Sequence, residues 1–311
     1  MKQFDMKRRV TILFFGCLFL LVSGCKKKND TFKPAAEFTG SPIGGIAPLT
    51  VSFSDQSSNN PTTWNWVFGD GTTSNEQNPS KTYTEAGIYT VEMTAKNSGG
   101  QDTQVKTDYI VVVEGDSFTD DRDGTVYKYV TIGEQVWMAE NLKYLPEVVG
   151  PGTNSITDPH YYIYYYDGTD VAAVKTTEYY STYGVLYNWP AAIEACPAGW
   201  HLPDDEEWTA LTNFLNEEAN AAGKLKEADT AHWQAPNTGA TNETGFTALP
   251  GGYYDNQGNF FYNIGKTGYW WTTDEYTTHF GRHRFMTYNE SYVNRSFTNK
   301  GHGFSVRCVR D

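Results

Sequence analysis

Cys196-Pro197-Ala198-Gly199-Trp200-His201-Leu202-Pro203, followed by Glu207-Trp208, and Gly303-Phe304-Ser305-Val306-Arg307-Cys308-Val309-Arg310-Asp311 are the two stretches that decide how this chain folds. The first places a cysteine just ahead of a helix. Asp204 supplies a capping carboxylate, and Glu207 sits three residues on, as in a capping box with Asp in place of Ser. Trp208, Leu211 and Leu215 then fall on one helical face, and the helix is expected to fray near 219–223. In the second stretch Phe304, Val306 and Cys308 share one face of a final strand, and Ser305 and Arg307 share the other. A bond between the two cysteines would staple a whole domain.

The N-terminal residues read as a targeting segment. Lys7, Arg8 and Arg9 precede an apolar run over 11–22, the length of a signal-peptide core and short for a membrane span. Val22-Ser23-Gly24-Cys25 follows and resembles the lipobox of bacterial lipoproteins, in which the cysteine is acylated. That resemblance implies a signal peptide over 1–24, a membrane partner through lipid on Cys25, and a location at the outer membrane or cell surface. More than one acyl chain anchors stably where a single chain does not. Cys17 then lies in the discarded peptide, which leaves Cys196 and Cys308. An exported compartment is oxidising, so a disulfide between them is the expectation, with two buried free thiols as the alternative. It would close a loop of just over 100 residues, worth roughly 4–5 kcal/mol by loop entropy, less any strain.

The formal net charge is −13. The signal segment holds Lys2, Lys7, Arg8, Arg9 and Asp5, so its removal leaves −16. Phosphate contacts need a basic face, so nucleic acid is not an expected partner. Lys26-Lys27-Lys28 is too short a run to alter that. The 22 Tyr and 9 Trp are enough for a large core or for an aromatic binding surface.

Two blocks follow a polar, aperiodic tether over 25–34. From 35–114 the pattern has period two: Leu49, Val51 and Phe53 alternate with polar residues, and Tyr89, Val91, Met93 and Ala95 oppose Ile88, Thr90, Glu92 and Thr94. Gly69-Asp70-Gly71 and Ser98-Gly99-Gly100 punctuate it. Short strands without helical period predict an immunoglobulin-like β-sandwich. Trp64-Asn65-Trp66-Val67-Phe68-Gly69-Asp70-Gly71, Asn78-Pro79, Tyr83, Gly87 and Tyr89-Thr90-Val91 resemble the polycystic-kidney-disease (PKD) domain. The resemblance implies a spacer or weak binding module. Asp70 reads as a turn residue bonded to its own backbone.

After a hinge at 115–117, the block 118–311 mixes strands and helices. A hairpin is predicted over 126–137 with its turn near Gly133-Glu134. Asp123-Gly124, Tyr127, Ile132-Gly133, Trp137-Met138-Ala139-Glu140-Asn141-Leu142, Gly184, Tyr187-Asn188-Trp189, the 196–203 run, Phe246-Thr247-Ala248-Leu249-Pro250-Gly251-Gly252, Trp270-Trp271 and 304–308 resemble the Fibrobacter succinogenes major paralogous domain. That resemblance implies a C-type-lectin-like α+β fold and carries no defined activity. The expected class is therefore mainly β with α+β, a PKD-like sandwich ahead of a lectin-like domain.

The chain has no Gly-x-Ser-x-Gly elbow, no His-Glu-x-x-His helix and no phosphate-cradling loop. His279 and His283 are four apart, but in a strand-and-loop region, so they make a poor metal pair. His201 reads as structural, its ring satisfied by backbone. Asp120, Asp121 and Asp123 lack EF-hand spacing and read as a solvated turn. The calcium loop of sugar-binding lectins is not carried over: Ala235-Pro236-Asn237 lacks its first ligand, and Thr272-Thr273-Asp274-Glu275 follows Trp271. Formylglycine-generating enzymes share the broader fold and use cysteines, which this chain lacks once the staple forms. No metal, cofactor or catalytic residue is expected. An enzyme of that superfamily stays the alternative if either thiol is free.

What remains is a surface. Tyr253, Tyr254, Trp271, Asp274, Glu275, Tyr276, Tyr288, Asn289, Tyr292, Asn294 and Arg295 interleave rings with polar groups that could orient a glycan or a protein. The expected function is non-catalytic binding at the cell envelope, with a structural or adhesive role in an envelope assembly as the alternative.

Overall fold

The computed structural model describes residues 32–215 and 218–311. The signal peptide, Cys17, Cys25 and the tether as far as residue 31 lie outside the described residues. No helix among the described residues is long and apolar enough to cross a membrane.

The first domain is a sandwich of two sheets. One holds β1 (Phe38–Ser41), β3 (Leu49–Asp55) and β6 (Ser80–Tyr83), in the order β1-β3-β6. The other holds β2 (Gly44–Ile46), β4 (Thr63–Val67), β5 (Thr73–Ser74), β7 (Gly87–Asn97) and β8 (Gly100–Val113), in the order β2-β8-β7-β4-β5. The period-two reading holds on β7, where Val91, Met93 and Ala95 are buried and Ile88 is exposed. Inward residues of both sheets meet around Trp66, with Phe38, Phe53 and Phe68 within 6.3 Å of its ring centroid. Asp70 accepts from Thr72 N at 3.0 Å, the turn bond expected of it, and also pairs with Lys81.

The second domain begins with β9 (Asp116–Thr119), β10 (Val126–Ile132) and β11 (Gln135–Met138), the predicted hairpin among them. Then come β12 (Tyr161–Tyr162), α1 (Val171–Val174), α2 (Glu178–Tyr183), β13 (Leu186–Tyr187), α3 (Trp189–Ile193), β14 (Trp200–His201), α4 (Asp205–Phe214) and α5 (Glu218–Leu225). The last part holds β15 (Gly251–Asp255), β16 (Phe260–Ile264), β17 (Thr267–Thr277), β18 (Phe280–Thr287), β19 (Asn294–Asn299) and β20 (Val309–Arg310). One sheet runs β14-β20-β11-β10-β9 and a second runs β16-β15-β17-β18-β19.

The capping box is formed as expected, with Asp204 accepting from Glu207 N and Glu207 from Asp204 N. The helix end differs from expectation. α4 stops at Phe214, and 219–223 lies inside α5. The final strand is also shorter, because only Val309 and Arg310 join the ladder, although Phe304, Val306 and Cys308 do enter one apolar cluster. Cys196 and Cys308 form the disulfide, with their Cα atoms 5.9 Å apart.

The hinge at 115–117 does not leave the domains apart. Ile46 of β2 is buried in the second domain's cluster with Val130, Trp137 and Phe246. Asn242 donates to the Gly44 carbonyl at 3.3 Å, and Ser41 to the Asp229 carboxylate at 2.7 Å. Gly245, at φ +71°, has no room for a side chain, since a Cβ would lie 2.6 Å from Val113. Clefts of about 540 and 600 Å³ flank this seam.

Candidate functional site

A row of rings crosses the β16-β15-β17-β18 sheet, exposed at Tyr262 and partly buried at Tyr253, Tyr269 and Phe285. Antiparallel pairing sets Tyr262 opposite Tyr253 and Tyr269 opposite Phe285. The side chains of paired residues project to the same face, so aromatic residues at those positions must form a stripe across the strands. Successive centroids lie 5.7 Å (Tyr262–Tyr253), 5.1 Å (Tyr253–Tyr269) and 5.7 Å (Tyr269–Phe285) apart. Phe260 extends the row 5.6 Å beyond Tyr262, and Tyr165 stands 6.1 Å beyond Phe260. Tyr165 is 56% exposed and holds φ +57°, a backbone state costly for a bulky residue and retained only where its surroundings impose it.

Two histidines lie beside this row. Burial lowers the His283 pKa to about 3, and the ring stays neutral among Trp271, Phe285 and Phe304. Burial also lowers His302, against the pull of Asp255. Burial, with Tyr269 and Asp255 nearby, raises the Tyr253 phenol to about 12. Amides gather about the β15-β16 hairpin. Asn263 donates to the Tyr269 hydroxyl at 2.9 Å, Asn154 donates to Asn259 at 2.7 Å, and Asn256 donates to Asn299 at 3.0 Å.

A second, smaller platform lies toward the other end of the β17-β18 hairpin. Tyr276 and Phe297 stack at 3.9 Å, Phe280 meets Phe297 edge-on at 6.1 Å, and the Arg282 guanidinium lies 5.2 Å from the Tyr276 ring. Glu275 beside it pairs with Lys300.

The eleven surface residues expected from sequence divide. Tyr253 joins the row and Tyr276 the platform, with Glu275 at its border. Tyr254 and Trp271 are fully buried; they belong to the core because Tyr254 stacks on Tyr162 and Trp271 donates to the Tyr187 carbonyl. Asp274 accepts from Asp205 N at the start of α4, and Arg295 pairs with Asp205, so both brace that helix. Asn294 bonds Glu290, and Tyr288 packs on the apolar cluster around Trp270. Asn289 and Tyr292 are exposed but lie in neither aromatic group. The sequence reading did not select Tyr165, Phe260, Phe280, Phe285 or Phe297 for the surface. A Phe on a strand reads as core until the pairing register is known.

Two further expectations change. The His201 ring is held by carboxylates, not backbone: Asp311 at 2.7 Å and Glu207 at 2.9 Å. Asp120 is not a solvated turn residue. Its carboxylate is buried and paired with Arg122, which stacks on the Tyr144 ring at 3.8 Å. Among the described residues no three His, Cys, Asp or Glu side chains converge as a metal set.

Many residues that carried the family resemblance hold the backbone together. Asn141 takes bonds from the buried Arg307 and from Trp270, and Arg307 also donates to the Phe246 and Thr247 carbonyls. Asn188 bonds the Ser155 and Asp158 carbonyls and accepts from His160 N and Ala191 N.

Comparison with known proteins agrees with this division of the chain. Residues 32–112 match the PKD domain. A 42-residue stretch is 55% identical to the collagenase ColA of Bacillus cereus, covering 14% of this chain and 4% of that protein. The PKD1 domain of the Vibrio cholerae metalloprotease PrtV is 36% identical, over 25% of this chain and 95% of that one, with a TM-score of 0.23. A structure of carbohydrate-binding modules from the β-sandwich superfamily is 26% identical, over 30% of this chain and 41% of that one, with a TM-score of 0.26. Residues 130–310 match the Fibrobacter succinogenes major domain, more than half of the sequence, and the chain belongs to that family, with a PKD domain in front.

Proposed function

We propose that this is a non-catalytic binding protein of the cell envelope. It is anchored through lipid on Cys25 and carries a C-type-lectin-like domain over 118–311 that takes glycan or protein ligands. The PKD-like domain over 35–114 holds that domain away from the membrane. The observation that carries this reading is the row of rings from Tyr165 to Phe285, exposed at Tyr165, Phe260 and Tyr262 and partly buried beyond them. Exposed aromatic rings at this density mark interaction surfaces more than they mark ordinary protein exterior. The seam supports the spacer role, because a docked sandwich transmits position where a free one would not.

The test is a glycan array and an envelope-protein pull-down with the full chain in detergent. Binding in either supports the reading, and silence in both rejects it. Mass of the N-terminal peptide tests the acylated Cys25 separately. The platform of Tyr276, Phe280, Phe297 and Arg282 favours a second reading, in which the protein is an adhesive part of an envelope assembly. Cross-linking on intact cells that traps partners through 275–298 would favour it.

A further inference from the structure

We infer that the aromatic row binds an extended, uncharged glycan, several sugar rings at a time. The inference rests on the binding role proposed above and narrows it to one ligand class and one face. Three features carry it.

The first is shape. The rings from Tyr262 to Phe285 span four neighbouring strands at steps of 5.1 to 5.7 Å. That repeat is set by strand spacing, about 4.8 Å, and is comparable with the length of one sugar ring. Phe260 and Tyr165 lengthen the row at one end. Tyr165, Phe260 and Tyr262 at that end are 56%, 50% and 41% exposed, a run of rings that suits a chain better than a single small sugar.

The second is polarity. Asn263 donates to the Tyr269 hydroxyl of the row, and Asn256 hydrogen-bonds His302, whose ring stacks on Tyr253. An amide both donates and accepts, as does a hydroxyl, so amides can exchange these bonds for sugar hydroxyls. The row itself contains no aliphatic side chain, whereas a protein partner's anchors usually seat among mixed apolar and charged groups.

The third is charge. His283 and His302 beside the rings are kept neutral by burial. Asp255 beside them would repel an anion. An acidic polysaccharide is therefore a poorer fit than a neutral one.

The experiment is affinity electrophoresis and calorimetry of the full chain against soluble neutral linear polysaccharides, an acidic polysaccharide, and neutral oligosaccharides of increasing length. The expected result is retention by a neutral linear chain, with affinity rising over the first several units. Tyr262→Ala, Phe260→Ala and Tyr165→Ala should each weaken it up to about tenfold. Tyr262→Phe, which keeps the ring, should retain most of it. Phe297→Ala, on the separate platform, should leave it unchanged. Equal binding by the three ring variants, with folding verified by circular dichroism, overturns the inference and leaves the general binding role standing. So does preference for the acidic polymer, or capture of a protein with no glycan bound. Absence of any ligand, glycan or protein, removes both.

Discussion

In the first domain Phe38, Phe53, Trp66 and Phe68 are all sealed between two sheets, and Phe32, at the edge of the described residues, is its one exposed aromatic ring among those more than a third accessible. In the second, Tyr165, Phe214, Phe260, Tyr262, Tyr276, Phe280, Tyr292 and Phe297 stay exposed while an equally aromatic core lies beneath them. The two also hold their backbones differently. The sandwich satisfies its peptide groups mostly through strand ladders such as the 44–113 pairings of β2, β7 and β8. The second domain has long stretches without ladders, and side chains take over: Lys226 donates to the carbonyls of Thr238, Thr287 and Glu290, and Arg307 to those of Phe246 and Thr247. A buried carbonyl must be paired in one way or the other. A domain that pairs partly with side chains need not be regular sheet throughout, and it presents rings both on strands, as at Tyr262 and Phe297, and between them, as at Tyr165. On the function proposed above, the first domain is a strut and the second a display surface.

That contrast can be broken at graded cost. Trp66→Ala empties the centre of the sandwich and should destabilise it by about 4 kcal/mol, read as a lower denaturant midpoint; a shift of under about 1 kcal/mol would mean that ladders and not the ring cluster hold the domain. Reducing Cys196–Cys308, or replacing both with Ser, should cost the second domain about 3–4 kcal/mol, because the closed loop is long. In an Ile46→Ala background, where the two domains should unfold separately, the first domain's midpoint should not follow it, and a matched shift in both would contradict the contrast.

Lys226→Met removes three hydrogen bonds from a fully buried ammonium to backbone carbonyls and should cost about 3 kcal/mol. Hydrogen exchange should quicken first around 238 and 287–290; exchange that speeds evenly over the whole domain would argue against a local pin. Ile46→Ala takes out the side chain that the strut inserts into its neighbour's core, for about 2 kcal/mol. Calorimetry should then show the two domains unfolding as separate events where the parent chain shows them coupled, and unchanged coupling would assign the seam to its polar contacts.

The smallest effect concerns His201. Burial lowers its affinity for a proton, but hydrogen bonds to Asp311 and Glu207 outweigh that and raise its pKa. A histidine whose folded pKa is raised contributes fully below the unfolded value of about 6.5 and loses that contribution as pH rises through the folded value. The ring is partly exposed, so screening keeps the effect under about 1 kcal/mol. His201→Gln should therefore flatten a small decline in melting temperature between about pH 6 and 8. A parent protein that grows more stable over that interval through this residue would refute the pairing.

Much of the fold was readable because it depends on local rules. Alternation in 88–95 placed β7, and the Asp204–Glu207 pair placed the start of α4. The site was less readable. Tyr254 and Trp271 looked like surface rings, whereas Phe260, Phe285 and Phe297 did not, because ring identity says nothing about which face a strand turns outward. The end of α4 was misjudged for a related reason: no glycine or proline marks it, and the break is followed at once by a second helix packed on the core.

By itself the sequence determined the two domain types, the cysteine pair and the capped helix, since each follows from neighbours in the chain or from composition. Tertiary structure alone decided that Ile46 enters the second domain, that His201 meets Asp311, and that Tyr253, Tyr269 and Phe285 line up across three strands. Those contacts join residues far apart in sequence, and their geometry is set by strand register and sheet packing, which no local pattern specifies.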